Sequence, residues 1–226
     1  MKKILMILTS SSELVNTSDK TGVWLGEFTD PYYEFLDKGY EVTLASPKGG
    51  KPPVDPRSKL TENITSSNRR FNKDEKAQKD FEFTLPLSEV KAGDFDAVFF
   101  PGGHGPMTDL AEDETNANLV VDFFNQDKPI AAICHGPAGL LKAATKEPAI
   151  LQGKEVTGFS NAEEKMVGLR DNIPFSLEDR LKTLGANYKS ATIPFTSKVK
   201  VSGKLITGQN PASAEKAAKE LIKMLE

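Results

Sequence analysis

The sequence predicts an α/β fold in which a mostly parallel sheet, of the flavodoxin-like or Rossmann-like type, is covered by helices on both faces. Short apolar runs typical of strands alternate with longer segments of helical period. These runs are apolar along their whole length, as expected of strands buried on both faces. With 226 residues and one cysteine, the chain is long enough to bury a core without disulfide bonds.

In the first half of the chain, apolar strands are predicted at residues 4–8 and 42–46. An amphipathic helix is predicted between them at about residues 23–38, with a bend or break at Pro31. At about residues 47–81 the periodic signal disappears, and prolines, glycines and polar residues dominate. We predict an irregular insertion there, with short helical turns at most. Such a segment is typically a lid, a binding loop or an oligomer contact.

The second half of the chain repeats the alternation. The predicted strands cover residues 96–100, 129–134, 155–158, 198–201 and 205–207, and the predicted helices cover residues 116–126, 136–145, 162–169, 177–184 and 210–225. The tripeptide Ser202-Gly203-Lys204 predicts a hairpin between the last two strands. Because the sequence contains no internal repeat and no clear linker, we expect a single domain over residues 1–226.

Charge and hydropathy argue against nucleic acid and membranes as partners. The chain has 29 Lys and Arg against 32 Asp and Glu, a net charge of -3, so it has no overall positive field. A membrane helix needs roughly 18 consecutive apolar residues, and none are present. The apolar run at residues 4–8 is shorter than the roughly 7–15 residues of a secretory signal. We expect a cytoplasmic protein with a reduced thiol.

The segment around Cys134 is the most informative part of the sequence. An apolar strand runs into Cys134 and then directly into a helix, with Ala132 two positions before the cysteine and Gly136 two positions after it. Small residues at these places are typical of a nucleophile elbow, in which a sharp turn holds the nucleophile in a strained conformation. We expect the N-terminus of the following helix to lower the pKa of the Cys134 thiol.

Five motifs, in order along nearly the whole chain, resemble the ThiJ/PfpI superfamily of the class I glutamine amidotransferase-like fold. They are TGVWLGE at 21–27, PGGHG at 101–105, AAICHGPAGLL at 131–141, TGF at 157–159 followed by two glutamates, and GQNPA at 208–212. The segment around Glu27 and the insertion resemble most the branch that contains heat-shock chaperones and glutathione-independent glyoxalases of the glyoxalase III type. The resemblance implies one domain of that fold and a homodimer.

The resemblance also implies roles for individual residues. Cys134 matches the nucleophile, and His135 matches its usual histidine partner. Glu27 matches a carboxyl group that reaches the cysteine from the first helix, where a protonated glutamate would donate a hydrogen bond to the thiolate and later move a proton. The residue that orients the imidazole falls on Glu164, with Glu163 as the alternative because spacing alone can slip by one position.

The glycine turn after the strand at residues 96–100 suggests further site residues. Gly102 and Gly103 allow a tight turn, and their N–H groups together with that of His135 would form an oxyanion hole. Glycine pairs after strands also occur as simple turns. His104 either lines the pocket or has a packed or solvated role, and the sequence does not separate these alternatives.

The sequence predicts neither a metal nor an organic cofactor. One cysteine and two histidines exclude a thiolate-rich zinc site, and although a mixed His/Glu site is not excluded by counting, no ligand spacing indicates one. The turn at residues 102–105 lacks the GxGxxG spacing of dinucleotide-binding loops. A nicotinamide cofactor is therefore not expected.

The resemblance implies an enzyme that acts on small dicarbonyls and converts methylglyoxal to lactate without glutathione. The same thiol chemistry underlies a protein deglycase or stress-protective role, which sequence does not separate from it. One alternative is a cysteine amidase or peptidase of the PfpI type, with Cys134, His135 and Glu164 as its triad. Another is a holdase chaperone or a redox sensor in which Cys134 is oxidised.

Overall fold

The structure is a computed structural model that describes residues 1–15 and 17–226, and strands and helices alternate along it. The strands are β1 (Lys3–Ile7), β2 (Glu41–Ser46), β3 (Leu85–Pro86), β4 (Ala97–Phe100), β5 (Ile130–Ile133), β6 (Glu155–Val156), β7 (Asn187–Tyr188), β8 (Val199–Ser202) and β9 (Leu205–Gly208). The α-helices are α1 (Leu25–Asp37), α2 (Ser66–Phe71), α3 (Glu75–Glu82), α4 (Glu114–Asn125), α5 (Leu141–Lys146), α6 (Asn161–Met166), α7 (Leu177–Thr183) and α8 (Ala214–Leu225). Short 3-10 helices lie at Pro56–Lys59, Thr61–Asn63, Leu87–Glu89, Ala92–Asp94, Gly105–Met107, Gly136–Leu140, Pro148–Ile150 and Pro211–Ser213.

Seven of these strands form one sheet through the middle of the molecule, in the order β3-β2-β1-β4-β5-β9-β8. Its neighbouring strands are parallel except for β8 and β9, which form the predicted antiparallel hairpin. The predicted strand at residues 155–158 is shorter than expected, because β6 pairs only with β7 outside this sheet. The fold is the mostly parallel, flavodoxin-like α/β arrangement that the sequence predicted.

A separate hydrophobic core covers each face of the sheet. Along β1, Ile4 and Met6 point into the core that contains α1 and α8, whereas Leu5 and Ile7 point into the core that contains α4 and α5. All four side chains are fully buried. Burial on both faces explains why this strand is apolar without alternation. Within residues 1–15 and 17–226, no helix has the length and hydropathy that crossing a membrane requires.

Residues 47–81 contain more regular structure than the sequence predicted. Two of the 3-10 helices, α2 and most of α3 lie there. The side chains of Thr65 and Asp74 cap α2 and α3 by accepting hydrogen bonds from backbone N–H groups of the first turns. Phe71 and Phe81 pack against Phe28 of α1, with ring centroids 5.6 and 5.0 Å away. Caps and a few aromatic contacts stabilise these short helices, so they leave no long apolar stripe in the sequence.

The carboxyl ends of β4 and β5 lie side by side, with Phe100 opposite Ala132 in the register. The glycine turn at residues 101–105 follows β4, and Cys134 follows β5. Both segments therefore reach the same edge of the sheet. Ligand sites of open parallel sheets lie at this edge.

Candidate active site

Cys134 occupies the strained turn that the sequence predicted. Its backbone is in the left-handed region, with φ of 56°, which is uncommon for a residue with a side chain. Its N–H donates to the Gly208 carbonyl and its carbonyl accepts from the Phe159 N–H, each at 2.9 Å. A Cβ atom at residue 136 would lie only 2.3 Å from the Phe100 carbonyl oxygen, so Gly136 allows the chain after the nucleophile to approach β4.

A row of polar side chains leads away from the thiol. The Sγ atom of Cys134 lies 3.4 Å from Nδ1 of His135, and Nε2 of His135 lies 2.8 Å from Oε2 of Glu164. All three residues are buried. The imidazole ring is also packed against Phe159, with centroids 4.6 Å apart. The histidine is thus positioned by a carboxylate at one nitrogen and faces the sulfur with the other, as proton transfer from a thiol requires.

Glu163 and Glu164, the two alternatives for the carboxylate, point in different directions. Glu163 forms a capping box with Ser160 at the start of α6. Its Oε1 accepts hydrogen bonds from the Phe195 N–H at 2.8 Å and from the Asn210 side chain at 2.9 Å. Glu163 therefore organises the loop beside the site, whereas Glu164 contacts the imidazole. The catalytic role of Glu164 stays a prediction.

Glutamine substitutions at these neighbouring positions are expected to have different effects. Glu164→Gln removes the negative charge that stabilises a protonated His135, so we expect alkylation of Cys134 by iodoacetamide at pH 7 to slow by about tenfold or more. Glu163→Gln disturbs the capping box with Ser160 and the contact with the Phe195 N–H, so its main expected effect is a lower melting temperature. The single cysteine makes mass spectrometry of the alkylated protein a direct measurement. A slower reaction only in Glu163→Gln would contradict the assignment.

His104, whose role the sequence left open, lines the site. Its Nε2 lies 2.7 Å from Oε1 of Glu164, and its ring lies 4.0 Å from that of His135. Burial, together with the neighbouring charge of His135, lowers the pKa of His104 to about 4, so its imidazole is neutral at pH 7. Burial alone would raise the pKa of Glu164, but the bonds and charges of the two histidines outweigh it and hold that pKa below its usual range. Glu164 is therefore ionised.

Glu27, in the first turn of α1, reaches the thiol from the opposite side. Its side chain is completely buried, and its Oε2 accepts a hydrogen bond from the Gly102 N–H at 2.8 Å. The carboxyl group lies beside the Cys134 thiol, and within the described part of the chain the buried Oε1 has no hydrogen-bond partner. Burial raises the pKa of Glu27 to about 8. At neutral pH, Glu27 is therefore protonated and has a proton to donate.

The expectation of a lowered thiol pKa was wrong in direction. Burial raises the pKa of Cys134, and a charge on Glu27 would raise it further, while a hydrogen bond from the Gly103 N–H opposes the rise. The helix after Cys134 begins as the short 3-10 segment Gly136–Leu140, and the cysteine is almost fully buried. Removal of water from the thiolate thus outweighs the local helix. Ionisation of Cys134 requires a nearby base, and Nδ1 of His135 is within reach.

One of the three N–H groups predicted for the oxyanion hole, that of Gly102, has another role in the structure. The Gly102 N–H already donates to Glu27, so it is not free to bind a substrate oxygen. The Gly103 N–H faces the sulfur, and in the described part of the chain the His135 N–H has no backbone acceptor. These two groups remain the predicted donors. Gly102 instead orients Glu27.

The close packing around residue 102 also requires a glycine. A Cβ atom at this position would lie 2.7 Å from Cβ of Cys134 and 2.7 Å from Oε2 of Glu27. We expect Gly102→Ala to lower the free energy of unfolding by about 1–3 kcal/mol, as overpacking typically does, and to slow alkylation of Cys134. Urea denaturation and iodoacetamide labelling measure both effects. Gly93→Ala is the matched control because Gly93 has open space around it, and equal effects of the two variants would contradict the steric argument.

A cavity of about 590 Å³ opens above the thiol. Cys134 and both histidines line its floor, and Arg57 lies on its wall. Part of its lining is apolar, and some of these apolar side chains are exposed to solvent. The apolar residues lining the cavity include Trp24, Leu60, Phe159, Val167 and Phe195.

His104, His135 and Glu164 are close enough to hold a metal ion, since one ligand atom from each lies within 4.8 Å of the others. Both oxygens of Glu164 already accept hydrogen bonds from the imidazoles. The group is therefore complete without an ion, and a metal-free site remains the prediction.

Cys134 lies at a strained strand–helix turn at the edge of a mostly parallel sheet, and His135 lies beside it. These features place the chain in the class of α/β proteins with a cysteine at a nucleophile elbow. The model of the DJ-1/PfpI family matches residues 15–224. The chain therefore belongs to the DJ-1/PfpI family, as its motifs predicted.

Individual relatives extend the similarity over the full length of the chain. The glutathione-independent glyoxalase HSP31 of Saccharomyces cerevisiae is 31% identical over 235 residues, covering 100% of this chain and 98% of that protein. The X-ray structure of the Rapid Encystment Protein 24 kDa of Francisella tularensis has a TM-score of 0.94 and 41% identity, with 100% of both chains covered. The crystal structure of glyoxalase III from Candida albicans has a TM-score of 0.89 and 27% identity, covering 98% of this chain and 96% of that one.

Proposed function

We propose that this chain is a glutathione-independent glyoxalase that converts methylglyoxal to lactate with Cys134 as its nucleophile. The observation that carries the proposal is the pair of acid–base groups on the thiol, with His135 on one side and the protonated Glu27 on the other. An isomerisation of a dicarbonyl needs a nucleophile and proton transfer at two adjacent carbons. The full-length similarity to HSP31 and glyoxalase III supports the same activity.

In the first step, the sulfur of Cys134 adds to the aldehyde carbon of methylglyoxal and the thiol proton passes to Nδ1 of His135. The ionised Glu164 stabilises the imidazolium that forms. The C–S bond forms as the π bond of the carbonyl group breaks, and the negative charge left on the oxygen faces the N–H groups of Gly103 and His135. Protonation of this oxygen by Glu27 or His135 gives a hemithioacetal.

In the second step, a base removes the proton from the former aldehyde carbon, and a proton is then added to the neighbouring ketone carbon through an enediol. Whichever of Glu27 and His135 gave its proton to the oxygen is now unprotonated and serves as this base. The aldehyde carbon is oxidised and the ketone carbon is reduced, so the reaction needs no external oxidant. Water hydrolyses the resulting lactoyl thioester, which releases lactate and restores the thiol.

The test is the loss of methylglyoxal with pure protein and no glutathione, with enzymatic detection of D-lactate. We expect lactate to form in proportion to the methylglyoxal consumed. Failure to form lactate, with the wild-type protein folded, would refute the proposed function. Disappearance of methylglyoxal without lactate would instead indicate simple trapping by lysine, arginine or cysteine side chains.

A cysteine amidase or peptidase is the second candidate, because Cys134, His135 and Glu164 are aligned as a nucleophile triad. This activity has no need of a proton donor at Glu27. Amide hydrolysis that survives Glu27→Gln, in a protein that forms no lactate, would favour it. A protein deglycase role, a holdase chaperone role and redox sensing through Cys134 remain predictions.

We also propose that the protein works as a cytoplasmic homodimer built from one domain over residues 1–226. The resemblance to the ThiJ/PfpI superfamily supports the dimer, and the single cysteine suits a reducing compartment. Light scattering at micromolar concentration measures the assembly. A monomer there would refute the dimer and leave the glyoxalase proposal untouched.

A further inference from the structure

The 3-10 helix Pro56–Lys59, within the segment 47–81, carries an arginine into the active site. The guanidinium of Arg57 is fixed by Asp55, whose Oδ1 accepts from Nε at 2.9 Å and whose Oδ2 accepts from Nη2. Asp55 is completely buried and also accepts a hydrogen bond from Thr21 at 3.0 Å. This two-pronged contact leaves the guanidinium little freedom of rotation.

The same Nη2 atom lies 3.3 Å from Nδ1 of His104. A guanidinium only donates hydrogen bonds and does not lose its proton in proteins, so Nδ1 of His104 has to be the acceptor and carries no proton. On the other side of the ring, Nε2 lies 2.7 Å from an oxygen of the ionised Glu164, which needs a donor. We therefore assign to His104 the neutral form with its proton on Nε2.

This form of His104 has a consequence for the charge of the site. A neutral His104 orients Glu164 through a hydrogen bond but does not cancel its negative charge. The full charge then remains for His135, which becomes positive when Cys134 loses its proton. A positively charged His104 would compete with His135 for the same carboxylate.

We propose that Arg57, held by Asp55, is a positioning residue that keeps His104 as the neutral tautomer protonated on Nε2 and so reserves the charge of Glu164 for His135. The kinetic part of this inference rests on the proposed function, whereas the tautomer of His104 is measurable without it. Among the described residues, the Arg57 side chain hydrogen-bonds to Asp55 and His104 and to none of Cys134, His135 and Glu27, so in this proposal it acts through His104.

Nitrogen-15 NMR of the imidazoles tests the inference directly, because the chain has only two histidines. In wild-type protein at pH 7, we expect His104 to show an unprotonated Nδ1 and a protonated Nε2, and the ring signals that are lost in His104→Gln are those of His104. In Arg57→Ala, Nε2 still donates to the ionised Glu164 while Nδ1 is free to take up a proton, so we expect the His104 nitrogens to shift towards the values of a charged ring. Unchanged His104 signals in folded Arg57→Ala protein would overturn the proposal.

Arg57→Ala leaves Asp55 charged and buried, which is destabilising on its own. The double variant Asp55→Asn/Arg57→Leu removes both charges and keeps an apolar stem, so it gives a second folded protein for the same measurement. Arg69→Ala is the matched control, since Arg69 lies in the same segment and is exposed. We expect wild-type imidazole signals in the control and altered ones in both other proteins. Wild-type signals in the folded double variant would also overturn the proposal.

The kinetic arm uses methylglyoxal. We expect kcat of Arg57→Ala to fall by about tenfold, with a much smaller change in KM, as for other residues that orient a functional histidine. A merely structural role would lower the melting temperature without the NMR change. If wild-type protein forms no lactate, the proposed function fails, while the imidazole signals still decide whether Arg57 keeps Nδ1 of His104 unprotonated.

Discussion

Cys134→Ala is expected to lower the rate of lactate formation from methylglyoxal by about a thousandfold or more, because the covalent route has no other nucleophile. Cys134 is the single cysteine of the chain, so no second thiol can replace it. The variant removes one sulfur atom at the edge of a large cavity, and we expect it to fold. Its melting temperature and circular dichroism spectrum check this point.

The Cys134→Ala result also separates catalysis from passive trapping. Surface lysines and arginines consume methylglyoxal in both proteins, so lactate, and not substrate loss, is the measured product. Full lactate formation by the purified alanine variant would refute the covalent mechanism. Suppression of client aggregation, by contrast, is expected to survive the substitution if the protein is also a holdase.

Glu27→Gln is expected to lower kcat by about a hundredfold and, at the same time, to stabilise the protein at alkaline pH. The catalytic loss follows because glutamine keeps the acceptor for the Gly102 N–H but has no proton to exchange with the sulfur or the substrate. The gain in stability follows from burial, since an ionised carboxylate is costly where the neutral amide is not. A variant that is less active and more stable is expected where an active site holds a strained or poorly solvated group.

Because of Glu27, the free energy of unfolding of the wild-type protein is expected to fall as pH rises. Glu27 has an ordinary pKa of 4.5 and a folded-state pKa raised to about 8, so between these values the unfolded chain has released a proton that the folded chain keeps. The contribution of this proton to stability is complete below pH 4.5, declines as pH rises through the window and is lost above pH 8. The advantage of Glu27→Gln should therefore grow from pH 4.5 to pH 8 and then level off.

Urea denaturation at pH 5, 6.5 and 8 measures this difference. Glu41→Gln is the matched control because it makes the same substitution at an exposed position, and we expect its stability relative to wild type to stay constant over the same range. A constant difference for Glu27→Gln would show that Glu27 titrates like an ordinary surface carboxylate. The proposed proton donor would then be ionised at neutral pH.

Local sequence predicted the parts of the site that depend on adjacent residues. The turn at Cys134 and its small neighbours Ala132 and Gly136 follow from a strand that runs straight into a helix. The sequence alone did not decide which of Glu163 and Glu164 contacts the imidazole. The spacing from the TGF motif allows either neighbour to do so while the other forms the capping box. Only the three-dimensional position of His135 separates them.

Contacts between distant segments account for the expectations that were wrong. The rise in the thiol pKa depends on burial of Cys134 and on Glu27 from α1, neither of which is visible in the sequence around the cysteine. The Gly102 N–H is taken by the same glutamate, 75 positions away. The short helices of residues 47–81 likewise depend on Phe28, which lies far from Phe71 and Phe81 in the sequence. Local patterns report local preference, whereas these features are consequences of packing.

The aromatic contacts of residues 47–81 make this segment part of the hydrophobic core beside the active site. Phe28 follows Glu27 directly in α1, and Phe71 and Phe81 cover it. Excision of the segment would open the core beside Glu27, admit water to the carboxyl group and bring it closer to an ordinary acid. If Cys134, His135 and Glu27 were transferred to another protein without this packing, the three side chains would be present but the glutamate would be ionised at neutral pH and could not donate a proton.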